Sequence, residues 1–133
     1  MVGVIVISHG DMAKGILSSV DMLCPDHEQN AFLSVQPDTN PDVFQEELRK
    51  KIAEVDTGDG VLIMADLFGG TPCNQALYLM NEKVHILSGM NLPMLLTVFL
   101  SRRGTNDITE LESEAVDAAK EGILNVNEYI KNQ

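Results

Sequence analysis

The sequence predicts an α/β domain built on a doubly wound, mainly parallel sheet with helices on both faces. Apolar runs of strand length alternate with stretches of helical spacing along the chain, the order expected of successive βα units. The runs Val4 to Ile7 and Val61 to Ala65 are apolar without alternation, as strands covered on both faces are. Polar or glycine-bearing loops follow the first, third and fourth runs, where crossovers to helices belong.

The first strand, through Val4-Ile5-Val6-Ile7, runs into Ser8-His9-Gly10-Asp11. Gly10-Asp11 starts a helix with Ala13, Ile16, Leu17, Val20 and Leu23 at three- and four-residue spacing, ended by Cys24-Pro25-Asp26. Ala31 to Val35 reads as a second strand. Pro37 and Asn40-Pro41 punctuate a loop before a helix with Phe44, Leu48 and Ile52 on one face and Glu46, Glu47, Arg49, Lys50 and Lys51 on the other. Gly58-Asp59-Gly60 turns into the third strand, Val61 to Ala65, which ends in Asp66-Leu67-Phe68-Gly69-Gly70-Thr71-Pro72. Thr71 suits a helix N-cap and Pro72 the first helical position. A short helix through Ala76, Leu77 and Met80 leads to the fourth strand, Val84 to Leu87, and then to Ser88 to Met94.

Leu92 to Leu100 is apolar nearly all round, which deep burial or an oligomer interface would explain. Asp107 with Glu110 resembles a capping box opening a last helix buried through Ile108, Leu111, Ala115, Ala118 and Ala119. The tail from Ile123 to Gln133 suits a helical extension or a late edge strand equally. The four strands make a sheet of the flavodoxin-like kind with right-handed crossovers and order 2-1-3-4. In that order the loops after strands one and three share a crevice, and His9 and Asp66 meet there.

The composition narrows the function. A chain of 133 residues with a formal charge of -11 suits one domain, and disfavours nucleic acid and anionic membranes as partners while favouring a basic protein face. Cys24 and Cys73 form neither a metal pattern nor a disulfide framework, and the short apolar N-terminus lacks a basic flank, so a cytoplasmic protein is expected. No metal or cofactor is called for.

The chemistry gathers at His9. A carboxylate from Asp66 accepting the Nδ1–H would leave the Nε2 lone pair as a nucleophile and stabilise positive charge on the ring. Gly69, Gly70 and Thr71 offer backbone N–H groups and a hydroxyl to phosphoryl oxygens. A Walker-type loop is absent, so an already activated phosphoryl group passed between proteins fits better than ATP.

Ser8-His9-Gly10 after an apolar strand, the loop Asp66 to Pro72 and the stretch Gly89-Met90-Asn91-Leu92-Pro93-Met94 together resemble the mannose-family enzyme IIA of the bacterial sugar phosphotransferase system, over essentially the whole chain. The resemblance implies a single IIA domain over residues 1–133, phosphorylated on His9 Nε2 by the histidine-containing phosphocarrier protein. An enzyme IIB component would accept the group, and membrane IIC and IID components would act downstream. It implies Asp66 as partner of the active histidine, Gly69, Gly70 and Thr71 as the phosphoryl-holding loop, no cofactor, and a homodimer, in some relatives with an exchanged C-terminal strand. IIB is expected as a separate polypeptide.

Blander readings compete at each residue. His27 reads as a surface turn residue and His85 as a packed or edge residue, neither with a matching acidic loop. Cys73, in the first turn of a helix where the dipole lowers a thiol pKa, reads first as a small buried side chain. Met90 and Met94 read as packing or partner contacts. Ser8 is a poor nucleophile for His9 as base, since adjacent strand residues face opposite ways. The main alternative function is a non-catalytic module that binds a small anion in the same crevice; a receiver domain phosphorylated on aspartate ranks last.

Overall fold

The computed structural model describes residues 1–25 and 27–133. The expected helix stop at Cys24-Pro25-Asp26 falls in part outside the described residues. The elements follow as β1 (Gly3–His9), α1 (Met12–Leu23), β2 (Asn30–Val35), α2 (Pro41–Val55), β3 (Val61–Ala65), α3 (Thr71–Leu77), β4 (Val84–Leu87), α4 (Leu92–Ser101), α5 (Ile108–Glu121) and α6 (Val126–Lys131). The sheet has the order β2-β1-β3-β4, and every pairing in it is parallel.

Strand parity divides the core. Val2, Val4 and Val6 of the N-terminal segment, with Leu62 and Met64 of β3, pack against α1, α4 and α5 through Ala13, Leu17, Val20, Leu95, Val98, Phe99, Leu111 and Ala115. Their neighbours Ile5, Ile7, Ile63 and Ala65 face α2 and α3 through Phe44, Leu48, Cys73 and Ala76. Full cover on both faces explains the unbroken apolar runs of the central strands.

Side-chain caps set three of the long helix starts. Asn40 accepts from the N–H groups of Asp42 and Val43, Asn91 from Met94, and Asp107 from Thr109 and Glu110. The expected capping box at Asp107 forms only in part, because Glu110 accepts from the Thr105 hydroxyl and that hydroxyl takes the Asp107 N–H. Asp11 precedes α1 without a side-chain cap, and Ser8 Oγ instead accepts the Ala13 N–H at 2.7 Å.

Several expectations need correction. Gly70 is the N-cap of α3, and Thr71 and Pro72 are its first two residues, because the Gly70 backbone is extended where the helix must begin. Leu23 and Leu77 are the last residues of α1 and α3, Met80 lies beyond α3, which ends before the expected helix did, and all three are exposed, while Val55 and Leu79 are buried. Met94, Leu95, Val98 and Phe99 are buried and Leu92 and Leu96 pack partly against the same cluster, so deep burial accounts for most of the apolar α4; Leu100 is exposed. The tail forms the short helix α6, capped by Asn125, with no buried residue, and adds no strand to the sheet. Among the described residues, no helix is long and apolar enough to cross a membrane.

Arg102, 2% exposed at the end of α4, ties this end of the fold together. Its guanidinium donates to the carbonyls of Val2, Gln29 and Glu28 and lies 4.8 Å from the Phe99 ring centroid. Burial pulls its pKa down to about 10 against the opposing pull of Glu28, which leaves it charged at neutral pH. Arg102→Met keeps the apolar stem but withdraws the donors from the Val2 and Glu28 carbonyls and leaves the Gln29 carbonyl only the Val4 N–H, so a loss of about 2–4 kcal/mol is expected, measured as a lower urea midpoint.

Candidate active site

Parity also aims the candidate residues. Ser8 shares the α1 side with Val4 and Val6, is fully buried, and donates to the Gly10 carbonyl while capping Ala13. His9, one residue on, faces the α3 side, with its side chain 47% exposed. This separation fits Ser8 to shaping the turn after β1 and leaves the imidazole at the rim.

Asp66 follows β3, and its N–H continues the sheet ladder to the Ile7 carbonyl at 3.2 Å. Its side chain turns back toward β1. Oδ2 accepts the His9 backbone N–H at 2.8 Å and lies 2.8 Å from His9 Nδ1, while Oδ1 accepts the Leu67 N–H at 2.8 Å. The carboxylate is thus held at both oxygens. Burial alone would raise its pKa, but the bonds from the His9 backbone, the His9 ring and the Leu67 N–H, with the ring's charge, outweigh burial and hold it below the ordinary 3.8.

The glycine loop closes the other side of the imidazole. A Cβ built on Gly70 would overlap His9 Cε1 and come 3.0 Å from Nε2, so the backbone of Gly70 lies directly against the ring. The Gly70 φ of -88° suits any residue; this close approach is what excludes a side chain. Gly69 differs, since its φ of +94° lies where L side chains are strained. His9, Asp66 and Gly70 are therefore brought together. Gly69 supports the loop, and the Thr71 hydroxyl makes no hydrogen bond among the described residues.

The remaining candidates lie elsewhere. His27 is largely buried rather than a surface residue: it pairs with Asp21 and packs on Phe99 at 5.1 Å between ring centroids. His85, on the sheet's edge strand β4, pairs with Glu112 and also meets the Glu82 carbonyl. Each therefore has a carboxylate from a helix, which strand-end reasoning did not foresee. Burial raises the Cys73 thiol pKa against the opposing pull of the Gly69 N–H, and the Asp66 charge adds to the rise. Met90 and Met94 are buried. Among the described residues, no group of three or more His, Cys, Asp or Glu is placed to hold a metal ion. Asn74, in the first turn of α3, is the residue that sequence reasoning missed: its amide donates to the Gly69 carbonyl at 3.1 Å. A short polar side chain in the first turn after a Gly-Gly pair was the available signal.

With this geometry in view, residues 3–116 match the family described as the PTS system fructose IIA component, EIIA-man. The PTS system mannose-specific EIIAB component of Escherichia coli K12 is 29% identical over 124 residues, 92% of this chain and 38% of that protein. The chain thus spans well under half of that relative. The PTS system fructose-specific EIIA component of Bacillus subtilis is 30% identical over 106 residues, 77% of this chain and 71% of that protein. The crystal structure of phosphotransferase system component EIIA from Streptococcus agalactiae superposes with a TM-score of 0.86 at 27% identity, covering 96% of this chain and 98% of its own. The chain belongs to the EIIA-man family, the mannose-type IIA components of the phosphotransferase system.

Proposed function

We propose that the protein is a phosphoryl carrier that takes a phosphoryl group on His9 Nε2 from the histidine-containing phosphocarrier protein and gives it to an enzyme IIB component. The observation that carries this reading is the 2.8 Å contact between His9 Nδ1 and Asp66 Oδ2, with Nε2 unpartnered among the described residues at the exposed rim. Residues 1–133 act as one IIA domain at the cytoplasmic side of a sugar-uptake route completed by membrane IIC and IID components. The protein works without a cofactor and as a homodimer, as the family resemblance implies.

In the forward step the Nε2 lone pair attacks phosphorus on the donor histidine. The donor's N–P bond breaks, and its electron pair returns to a ring that keeps its own proton and leaves as neutral imidazole. His9 retains the proton on Nδ1 and gains a positive charge, which faces the Asp66 carboxylate in the partly desolvated contact. Gly69, Gly70 and Thr71 lie where the phosphoryl oxygens gather. The formal charge of -11 favours donors and acceptors with a basic docking face.

The test is intact-mass spectrometry after incubation with phosphoenolpyruvate, enzyme I and the phosphocarrier protein. An acid-labile gain of one phosphoryl group is expected. No gain, with the same donors active on another acceptor, would replace this reading with the non-catalytic anion-binding module. A second prediction concerns the ring's seat. Gly70→Ala pushes a methyl into the imidazole, and a displacement on the ångström scale is expected to slow phosphorylation by about 10²-fold. Rapid-quench transfer from a labelled donor measures it, and a rate equal to wild type would show that the ring has room to spare.

A further inference from the structure

The backbone hydrogen bonds around the Gly69-Gly70 pair resolve to two residues. The Gly69 N–H donates to the Cys73 thiol, the Gly69 carbonyl accepts from Asn74 Nδ2 at 3.1 Å, and the Gly70 carbonyl accepts from the Asn74 N–H at 2.8 Å. The Gly70 N–H is the one left without a protein partner among the described residues. The bond to Cys73 belongs to the peptide before this pair, and the Asn74 backbone bond to the peptide after it. On the joining peptide itself, the Asn74 side chain makes the only bond among the described residues.

That peptide is planar and trans, so its carbonyl and N–H point in opposite directions. With the carbonyl turned to Asn74, the N–H turns away from it, one bond from a Cα that touches the His9 ring. Rotation of the whole peptide changes only ψ of Gly69 and φ of Gly70, and neither residue has a Cβ to resist it. The reversed peptide would put a carbonyl oxygen where the N–H now points. An oxygen there opposes an anionic group on Nε2, whereas an N–H does not.

We propose that Asn74 is a positioning residue for the transfer reaction: its side-chain amide locks the Gly69–Gly70 peptide so that no carbonyl oxygen faces the phosphoryl group arriving on His9. The inference rests on the phosphohistidine reading and adds a residue to it. Asn74 is exposed, so its loss is not a core defect.

The experiment compares wild type with Asn74→Ala and Asn74→Asp. The first removes the donor, and the second replaces it with a near-isosteric carboxylate that only accepts. Phosphorylation kinetics with the phosphocarrier donor give kcat and KM, and spectra of protein labelled with ¹⁵N-glycine follow the Gly70 amide before and after phosphorylation. Both variants are expected to keep the wild-type circular dichroism and a KM within about twofold, to lose roughly tenfold or more in kcat, and to lose the shift that phosphorylation causes at the Gly70 amide. If one variant misfolds, the other carries the test. Wild-type kcat in a folded variant overturns the proposal and leaves the carrier reading standing. A loss confined to KM, or a loss with the Gly70 shift intact, also overturns it by assigning Asn74 to docking or to stability. A wild type that takes no phosphoryl group overturns the carrier reading and this inference together.

Discussion

His9→Ala is expected to take up no phosphoryl group while remaining folded. The variant removes Nε2, unpartnered among the described residues, and His27 and His85 are held elsewhere by Asp21 and Glu112. Ser8 Oγ is fully buried and committed to Gly10 and Ala13, and the Cys73 thiol is buried with its pKa raised. The fold loses little, because the imidazole is half exposed and Asp66 keeps the backbone N–H groups of His9 and Leu67. A change within about 1 kcal/mol is expected. Intact mass and a urea titration on the same sample read both halves. A phosphorylated His9→Ala protein would sink the assignment and turn attention to His27 and His85.

Asp66→Asn is expected to slow transfer by about 10²- to 10⁴-fold. The carboxylate accepts twice through Oδ2, from the His9 backbone and from the Nδ1 side of the ring. An amide in its place has only one oxygen, so either that oxygen stays on His9 and the NH₂ opposes the Leu67 N–H, or it takes the Leu67 N–H and the NH₂ faces the His9 backbone N–H and Nδ1. The second orientation inverts the tautomer and puts the proton on Nε2, where the lone pair is needed. The variant also loses the negative charge that meets the ring once it is phosphorylated. A rate equal to wild type would count against the role given to Asp66. Stability gives an independent check. The carboxyl has a lower pKa folded than unfolded, so its contribution is fully present above the unfolded value near 3.8 and is lost as pH falls through the folded value. The gap between the urea midpoints of wild type and Asp66→Asn is therefore expected at neutral pH and to close in acid.

The sheet order and the central strands were legible because Val4 to Ile7 and Val61 to Ala65 carry a signal that only two-sided cover produces. The meeting of His9 with Asp66 followed from that order, since strands one and three are neighbours and their loops share an end. Helix ends were less legible. Leu23, Leu77 and Met80 continue an apolar period past the point where the helix still faces the core, and periodicity alone does not mark that point. Thr71 was read as a cap from side-chain preference, yet an extended glycine preceded it. The pairing of His27 with Asp21 joins residues six apart in sequence but depends on where the chain turns after α1, and that of His85 with Glu112 depends on α5 returning along β4. The tail kept both readings open because Val126, Tyr129 and Ile130 suit either period.

The alternation of β1 between two half-cores has an evolutionary corollary. Deleting or inserting one residue within the strand would exchange Val4 and Val6 with Ile5 and Ile7 and would also swing His9 to the face that Ser8 now occupies. Packing and chemistry would fail in the same event, so length variation within β1 meets purifying selection from both at once. Insertions are tolerated instead in exposed connections such as residues 36–40 and 56–59, where added chain leaves strand phase untouched.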